Sequence, residues 1–329
     1  MDLLFLSQAD VARVLTVELA FEANREAYMA YSSGNAIQPP IVSMEFRDDN
    51  GEMDIKSGYS GLNKTVGVKI LSGFWDNPRN FDLPISMGLM TLFDGRSGRP
   101  LCVLEAGMIT YYRSAAAGAY AATLLARKDA ARLAVIGTGG LARMHLIATK
   151  QYFDIRDAYI YSNAPEQKAK YIADFQAQYP DIRFHDCTTA QEAVEQADII
   201  ATATPANKAI VMDAWIRPGT HINAFGCDMT GKQELEPSIF THAKVVVDNL
   251  TECVRRGETQ HCIREGLLKQ EDIHAEIGEI ALGQKPGRIN DHEITIFDST
   301  GMSLQDISTA SRIYEKAMEL GIGTKVSMQ

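Results

Sequence analysis

Gly137, Gly139 and Ala142 stand in a G-x-G-x-x-A spacing directly after the apolar run at 133–136 and before a helix-compatible stretch at 143–150. That run has the pattern of a parallel strand buried on both faces. In a strand–turn–helix unit the first glycine makes the tight turn and the second admits a pyrophosphate against the backbone. The third small residue lets the helix pack close on the strand. The first amides of the helix then face the phosphates. The chemistry this spacing points to is dinucleotide binding by Gly137, Thr138, Gly139, Gly140, Leu141 and Ala142; a plain structural turn is the alternative.

Other positions carry charge that the fold must account for. Arg113 is the sole charged residue of an alanine-rich stretch at 106–126. If buried, its guanidinium must be paired, because an unpaired buried charge is very costly. Either a carboxylate neutralises it, or it grips a ligand anion in two-point fashion. Lys69 alternates with Val66, Val68 and Ile70, so it points to the other, less apolar side of a strand, as a solvated lysine or as a ligand cation. Asp228 follows a strand end at 223–226. Open α/β sheets place their ligands there, although a helix cap or an Asx-turn uses the same residue type.

The elements that must position these residues divide in two. Residues 1 to about 35 read as helical, ended by Ser32-Ser33-Gly34-Asn35 and by Pro39-Pro40. Hairpins follow at 41–46 with 53–55 and at 88–93 with 101–105, with a strand at 66–71 between them. Residues 106–126 read as one long helix. From about 127 strands at 133–136, 158–161, 199–203, 221–225 and 245–247 alternate with helices at 143–152, 165–178, 189–196 and 237–242, the rhythm of a doubly wound sheet. A late strand at 294–297 precedes an amphipathic helix at 303–320, with Leu304, Ile307, Ala310, Tyr314 and Ala317 on one stripe.

The fold class expected is therefore α/β: a Rossmann-type doubly wound sheet over 127–301, plus a discontinuous α+β domain built from 1–126 and 302–329. In the first of these the second strand ends at Ser162 and Asn163, with Lys168 close by. An acidic residue at that point favours NAD and an arginine favours NADP. Neither is present, so both cofactors stay open. Thr202 and Thr204, in a small polar turn after another strand, lie along the dinucleotide or form a simple capping turn.

Composition narrows the partners. The 329 residues suffice for two domains with substantial cores. A net charge of −10 leaves no excess of cations to neutralise nucleic-acid phosphates. Five cysteines lack C-x-x-C spacing and seven histidines lack a ligand pattern, so free thiols and no metal are expected. The apolar start MDLLFL has no basic segment before it and turns polar by Ser7, and no run long enough to span a bilayer follows. A cytoplasmic location without membrane contact is expected.

The motifs VGVKILSGFWDNP, YYRSAAAGAYAATLLAR, VIGTGGLA, INAFGCDMTGKQEL and IFDSTGMSLQD occur in this order along the chain. In order, spacing and combination the chain resembles the ornithine cyclodeaminase/μ-crystallin family over nearly its whole length. The resemblance implies a homodimer whose antiparallel β part packs across the subunit boundary, with a nicotinamide cofactor in each Rossmann domain. It matches Lys69 and Arg113 to a pair that grips the substrate α-carboxylate, Ser114 to a position near cofactor phosphate, and Asp228 to the carboxylate facing the reacting carbon and nitrogen. Ser299 in the last motif is assigned to the cofactor side.

Two departures from the family pattern bear on substrate. Many members carry an Arg where this chain has Ile41, so one cation of the carboxylate clamp is missing. The cyclodeaminase pattern has a Glu thirteen residues before the strand lysine, and the residue here is Lys56. A lysine repels a diamine and attracts a second carboxylate; an exposed hairpin-end lysine is the alternative. The function expected is an NAD(P)H-dependent reductase of a small, anionic, dicarboxylic 2-imino acid, such as iminosuccinate to L-aspartate, or the reverse amino-acid dehydrogenase. The alternatives are a cyclodeaminase with recycled NAD, a ketimine or pyrroline-2-carboxylate reductase, and a crystallin-like binding protein.

Overall fold

A computed structural model describes residues 2–328. The chain forms two compact units, Met1–Arg113 with Met302–Gln329, and Ser114–Gly301. The division falls inside the helix Gly107–Leu125, not at its end near 126.

The first unit is a mixed eight-stranded sheet. Its order runs Thr324–Ser327, Asp2–Leu6, Pro100–Glu105, Ser86–Asp94, Thr65–Phe74, Gly51–Ser60 and Ala36–Ile37, with Val42–Phe46 also paired to Gly51–Ser60. Residues 2–6 do not continue the N-terminal helical region. Asp2–Leu6 is a strand lying parallel to Pro100–Glu105, and helix proper begins at Gln8, capped by the Ser7 hydroxyl. Long-range pairing of an apolar run outweighs its local tendency here. The helices Val17–Ser32 and Ser303–Leu320 pack on each other, and the second also lies on Gly51–Ser60 and Thr65–Phe74.

That close contact depends on paired glycines. Gly58 and Gly67 are directly opposite on adjacent strands. A Cβ on Gly67 would lie 2.6 Å from Ile307 Cγ1, and one on Gly58 would lie 2.8 Å from Ser303 Oγ. The sheet face of Thr65, Gly67 and Lys69 is consequently the covered one, while Val66, Val68 and Ile70 lie on the more open face. Lys69 is thus a buried residue, not a solvated strand lysine.

The second unit is an eight-stranded, all-parallel sheet. Its order is Arg183–Asp186, Asp157–Tyr161, Arg132–Ile136, Ile199–Thr202, His221–Ala224, Thr295–Asp298, Lys244–Val247 and Ala275–Glu276. Alternate residues of the central strands enter two different apolar clusters, Ala134 and Ile136 in one, Leu133 and Val135 in the other. This is the mark of a sheet covered on both faces. The chain order reverses between Arg132–Ile136 and Ile199–Thr202, the switch point where open α/β sheets bind ligands. Among the described residues, no helix is long and apolar enough to cross a membrane.

Candidate active site

In the first unit, Lys69 projects from the middle of its strand onto Asp306 of the helix Ser303–Leu320, with Nζ 2.7 Å from Oδ2. The Arg113 guanidinium meets the other oxygen, Nε to Oδ1 at 3.1 Å. Lys69 also donates to the Thr110 hydroxyl at 3.2 Å, one turn before Arg113 on the same helix. Lys56 lies directly opposite Lys69 across the ladder and is buried as well. These cations, each at least nine-tenths buried, therefore surround one wholly buried carboxylate.

The electrostatics follow from that geometry. Burial pushes the Asp306 carboxyl upward, but Lys69, Arg113 and Lys56 outweigh it and hold the group below its usual range. Burial pushes the Lys69 ammonium down to about 7; Asp306 opposes this, while Arg113 and Lys56 add to it. The cluster is tied in place by Gln305. Its Oε1 accepts from Arg113 Nη1 and from the Met302 amide, and its Nε2 donates to Asn24 Oδ1 at 2.7 Å and Tyr28 Oη at 2.8 Å. Asn24 in turn donates to the Arg113 carbonyl at 2.9 Å. Arg113 therefore does form a carboxylate pair. Asp306 and Gln305 belong to the motif SLQD, but their roles depend on partners far away in the chain.

In the second unit a cavity of about 680 Å³ opens at the switch point. Gly137, Thr138, Gly139, Ser162, Asn163 and Thr204 line it, all of them expected there. Gly137 has φ +112°, and a Cβ on it would meet the Ala203 carbonyl at 2.7 Å, so only glycine fits this turn. Space over Gly139 is open within 4 Å, and no side chain caps the helix Gly140–Tyr152. Its first amides are thus available to an anion. These features fit a dinucleotide pyrophosphate.

Other expected residues stand elsewhere. Lys168 is not at the cavity: its ammonium is buried on the Cys187 carbonyl at 2.7 Å and on the Asp186 carboxylate, which removes it as a cofactor cation. Ala142 packs in the apolar core and accepts the Tyr171 hydroxyl on its carbonyl. Thr202 is fully buried, and Ser299 donates to Asp248 Oδ2 at 2.7 Å. Gly140, Leu141 and Ser114 are likewise absent from the lining. Gln167 and Lys208 line the cavity and were not anticipated; Lys208 follows the expected turn closely and is its charged lining residue.

Asp228 lies in the loop after His221–Ala224 with its carboxylate partly exposed, accepting from Lys232 Nζ at 2.7 Å. It caps no helix. The loop itself is pinned from behind. Arg256 Nε donates to the Asp228 carbonyl, Gln260 Nε2 donates to the Met229 carbonyl, and His261 Nε2 meets the Lys232 carbonyl at 2.6 Å.

The sequence profile of the ornithine cyclodeaminase/mu-crystallin family matches residues 1–321. The chain belongs to this family. Within it, an archaeal alanine dehydrogenase dimer with bound NAD is 36% identical, with a TM-score of 0.93 and full coverage (100%) of both chains. The Δ1-pyrroline-2-carboxylate reductase of Thermococcus litoralis, solved with NADH and L-proline, is 32% identical, with a TM-score of 0.94 over 98% of this chain and 100% of that one. The iminosuccinate reductase of Paracoccus denitrificans in complex with NAD+ is 28% identical, with a TM-score of 0.93 over 100% of both chains. These similarities extend over both units of the chain. Family membership does not select among the substrates named for these relatives.

Proposed function

We propose that the protein is an NAD-dependent oxidoreductase acting on C=N and CH–NH2 groups, and that its substrate is a small dicarboxylic 2-imino acid, with iminosuccinate to L-aspartate as the best match. The observation that carries this reading is the convergence of Lys56, Lys69 and Arg113 on Asp306. Like charges directly opposite on a ladder repel. A second carboxylate beside Lys56 would relieve that repulsion and give the site selectivity for a dianion.

In this reading Lys69 and Arg113 hold the α-carboxylate and orient the imine carbon, a proximity contribution that can be large. Asp228 holds the protonated imine nitrogen by charge and exchanges a proton with it. A bound reduced nicotinamide supplies the hydride, which adds to the imine carbon while the C=N π pair passes to nitrogen. Gly137, Gly139 and the helix start behind them hold the cofactor pyrophosphate, with Thr204, Ser162 and Asn163 along its length. The alanine dehydrogenase relative is a dimer, and a homodimer is proposed here through the open sheet face. There Val42, Ile55, Ile70 and Leu89 form a row in register across four strands.

The test is consumption of NADH or NADPH with oxaloacetate, pyruvate or a cyclic imine, the first two with ammonia or methylamine. The reading expects the highest kcat/KM with oxaloacetate plus ammonia. Preference for pyruvate or a cyclic imine would overturn the dicarboxylic assignment. Ammonia release from a diamino acid without net cofactor turnover would overturn the reductase assignment.

A further inference from the structure

The main-chain ladder between the strands Ile199–Thr202 and His221–Ala224 ends at the bond from the Phe225 amide to the Thr202 carbonyl, 3.1 Å. Main-chain pairing of the two segments resumes only where the Gln233 amide meets the Ala206 carbonyl at 2.9 Å, and in the stretch between these bonds a side chain bridges the two loops. Glu234, with no exposure to solvent, accepts from the Thr204 amide at 2.6 Å and the Thr204 hydroxyl at 2.7 Å on Oε1, and from the Gly226 amide at 2.8 Å on Oε2. Thr204 lines the cavity at the switch point, and Gly226 stands two residues before Asp228. A Cβ on Gly226 would run into both Glu234 Oε2 and the Thr204 carbonyl, so the glycine makes room for the carboxylate and for the turn it holds.

Glu234 is itself held by a second buried carboxylate. Glu258 accepts from the Glu234 amide at 2.6 Å and the Leu235 amide at 3.2 Å. A third, Asp298 at the end of its strand, accepts from the amides of Glu258 at 3.1 Å and Thr259 at 2.9 Å, and from the Thr259 hydroxyl at 2.8 Å. Each carboxylate thus fixes the backbone of the next, and the series ends at two loops of interest. Buried carboxylates are expensive, and burial raises the carboxyls of Glu234 and Glu258. If the loops needed only to be covered, apolar side chains would do so at lower cost.

We propose that Glu234 is a positioning residue for hydride transfer. It locks the turn at Thr204 to the loop that carries Asp228, and so sets the cofactor wall and the proton-handling carboxylate in one fixed spacing. It touches neither substrate nor cofactor. The inference rests on the reading that the cavity holds the dinucleotide and that Asp228 serves the substrate nitrogen.

The Glu234→Gln variant tests it. Its amide has the same shape, but one end presents an N–H group to another N–H, at Thr204 or at Gly226. Expected for folded E234Q, checked by circular dichroism, is a fall in kcat of about tenfold or more, with the NADH Kd raised by about threefold or more. The deuterium isotope effect with 4-deuterated NADH should also rise, because the hydride step becomes limiting. A merely structural role would reduce the active fraction and leave Kd and isotope effect unchanged, which overturns the proposal. If E234Q does not fold, Gly226→Ala tests the same link, because its added Cβ collides with both sides of it, the Glu234 carboxylate and the Thr204 carbonyl. The same signature is expected, and parental behaviour of G226A overturns the proposal. NADH binding and imine reduction by the unmodified protein separate the two ideas. If both are absent, the functional reading fails and this inference with it; if both are present with E234Q unchanged, this inference alone fails.

Discussion

Lys56 and Lys69 face each other directly across adjacent antiparallel strands, on the sheet face that the Asp306 helix covers. Two ammonium groups in that position raise each other's energy, and Lys56 lowers the affinity of Lys69 for a proton. Asp306 offsets part of this, as does Lys69's bond to Thr110. In the proposed function the further anion that this pair of cations accepts is the second carboxylate of the substrate.

Lys56 should consequently govern substrate choice. For Lys56→Gln, kcat/KM with a dicarboxylic imine is expected to fall roughly 10- to 100-fold, the worth of one charge-assisted hydrogen bond. With a monocarboxylic imine of similar size the change should be less than about threefold. Steady-state kinetics on both substrates check this, and equal losses on the two would refute the assignment.

Asp306 should matter first to stability. Asp306→Asn leaves Lys69 and Arg113 buried without their counter-charge, a loss of about 3–5 kcal/mol. Denaturant unfolding measures it as a lower midpoint with an unchanged slope. A dicarboxylate such as succinate should restore more of the lost stability in the variant than it adds to the parent, because there it replaces a missing anion. A midpoint equal to the parent's would mean that the cations are not held by Asp306.

Much of this was legible in the sequence, and the remainder was hidden for definable reasons. The Gly137 turn, the central strands and the need to pair Arg113 follow from local pattern. Its actual partner does not, since Asp306 lies 193 positions away and one sequence carries no signal of that pairing. Alternation around Lys69 shows that the strand has two faces but not which is covered. Here the small residues, Thr65 and Gly67, admit the helix, and the apolar Val66, Val68 and Ile70 are left on the open face. Lys168 sits near the end of the second nucleotide strand in sequence, yet the Cys187 carbonyl and Asp186 take its ammonium. The role of Glu234 was equally silent, because its partners are mainly backbone amides.

The open face makes its own prediction. Ile70 is 42% exposed and Leu89 is 52% exposed, opposite each other in the row that also holds Ile55 and Val42. In a two-fold dimer the same patch meets itself, so one added charge becomes two buried like charges. Ile70→Lys is expected to convert a dimer to a monomer, read by light scattering after size exclusion. A parent that is already monomeric, or a variant that remains a dimer, would remove this face as the interface.

Anion binding should also depend on the protonation of Lys69. In the ligand-free protein its proton leaves near pH 7, whereas a bound carboxylate favours the ammonium and raises that value. Above about pH 7 each bound dianion must therefore take up a proton, and affinity for succinate should fall by up to about tenfold per pH unit. Succinate itself stays doubly ionised over roughly pH 6.5 to 9, so the slope belongs to the protein. The groups acting on Lys69 are Asp306, Arg113 and Lys56; Asp306, held below its usual range, stays ionised across this window. Calorimetric titration across the range, with buffers of different ionisation enthalpy to count the protons, measures both quantities. Lys69→Arg, permanently charged, is expected to flatten the profile and abolish the uptake. A flat profile in the parent would mean that the Lys69 proton is not exchanged on binding, and that its charge does not control entry of the anion.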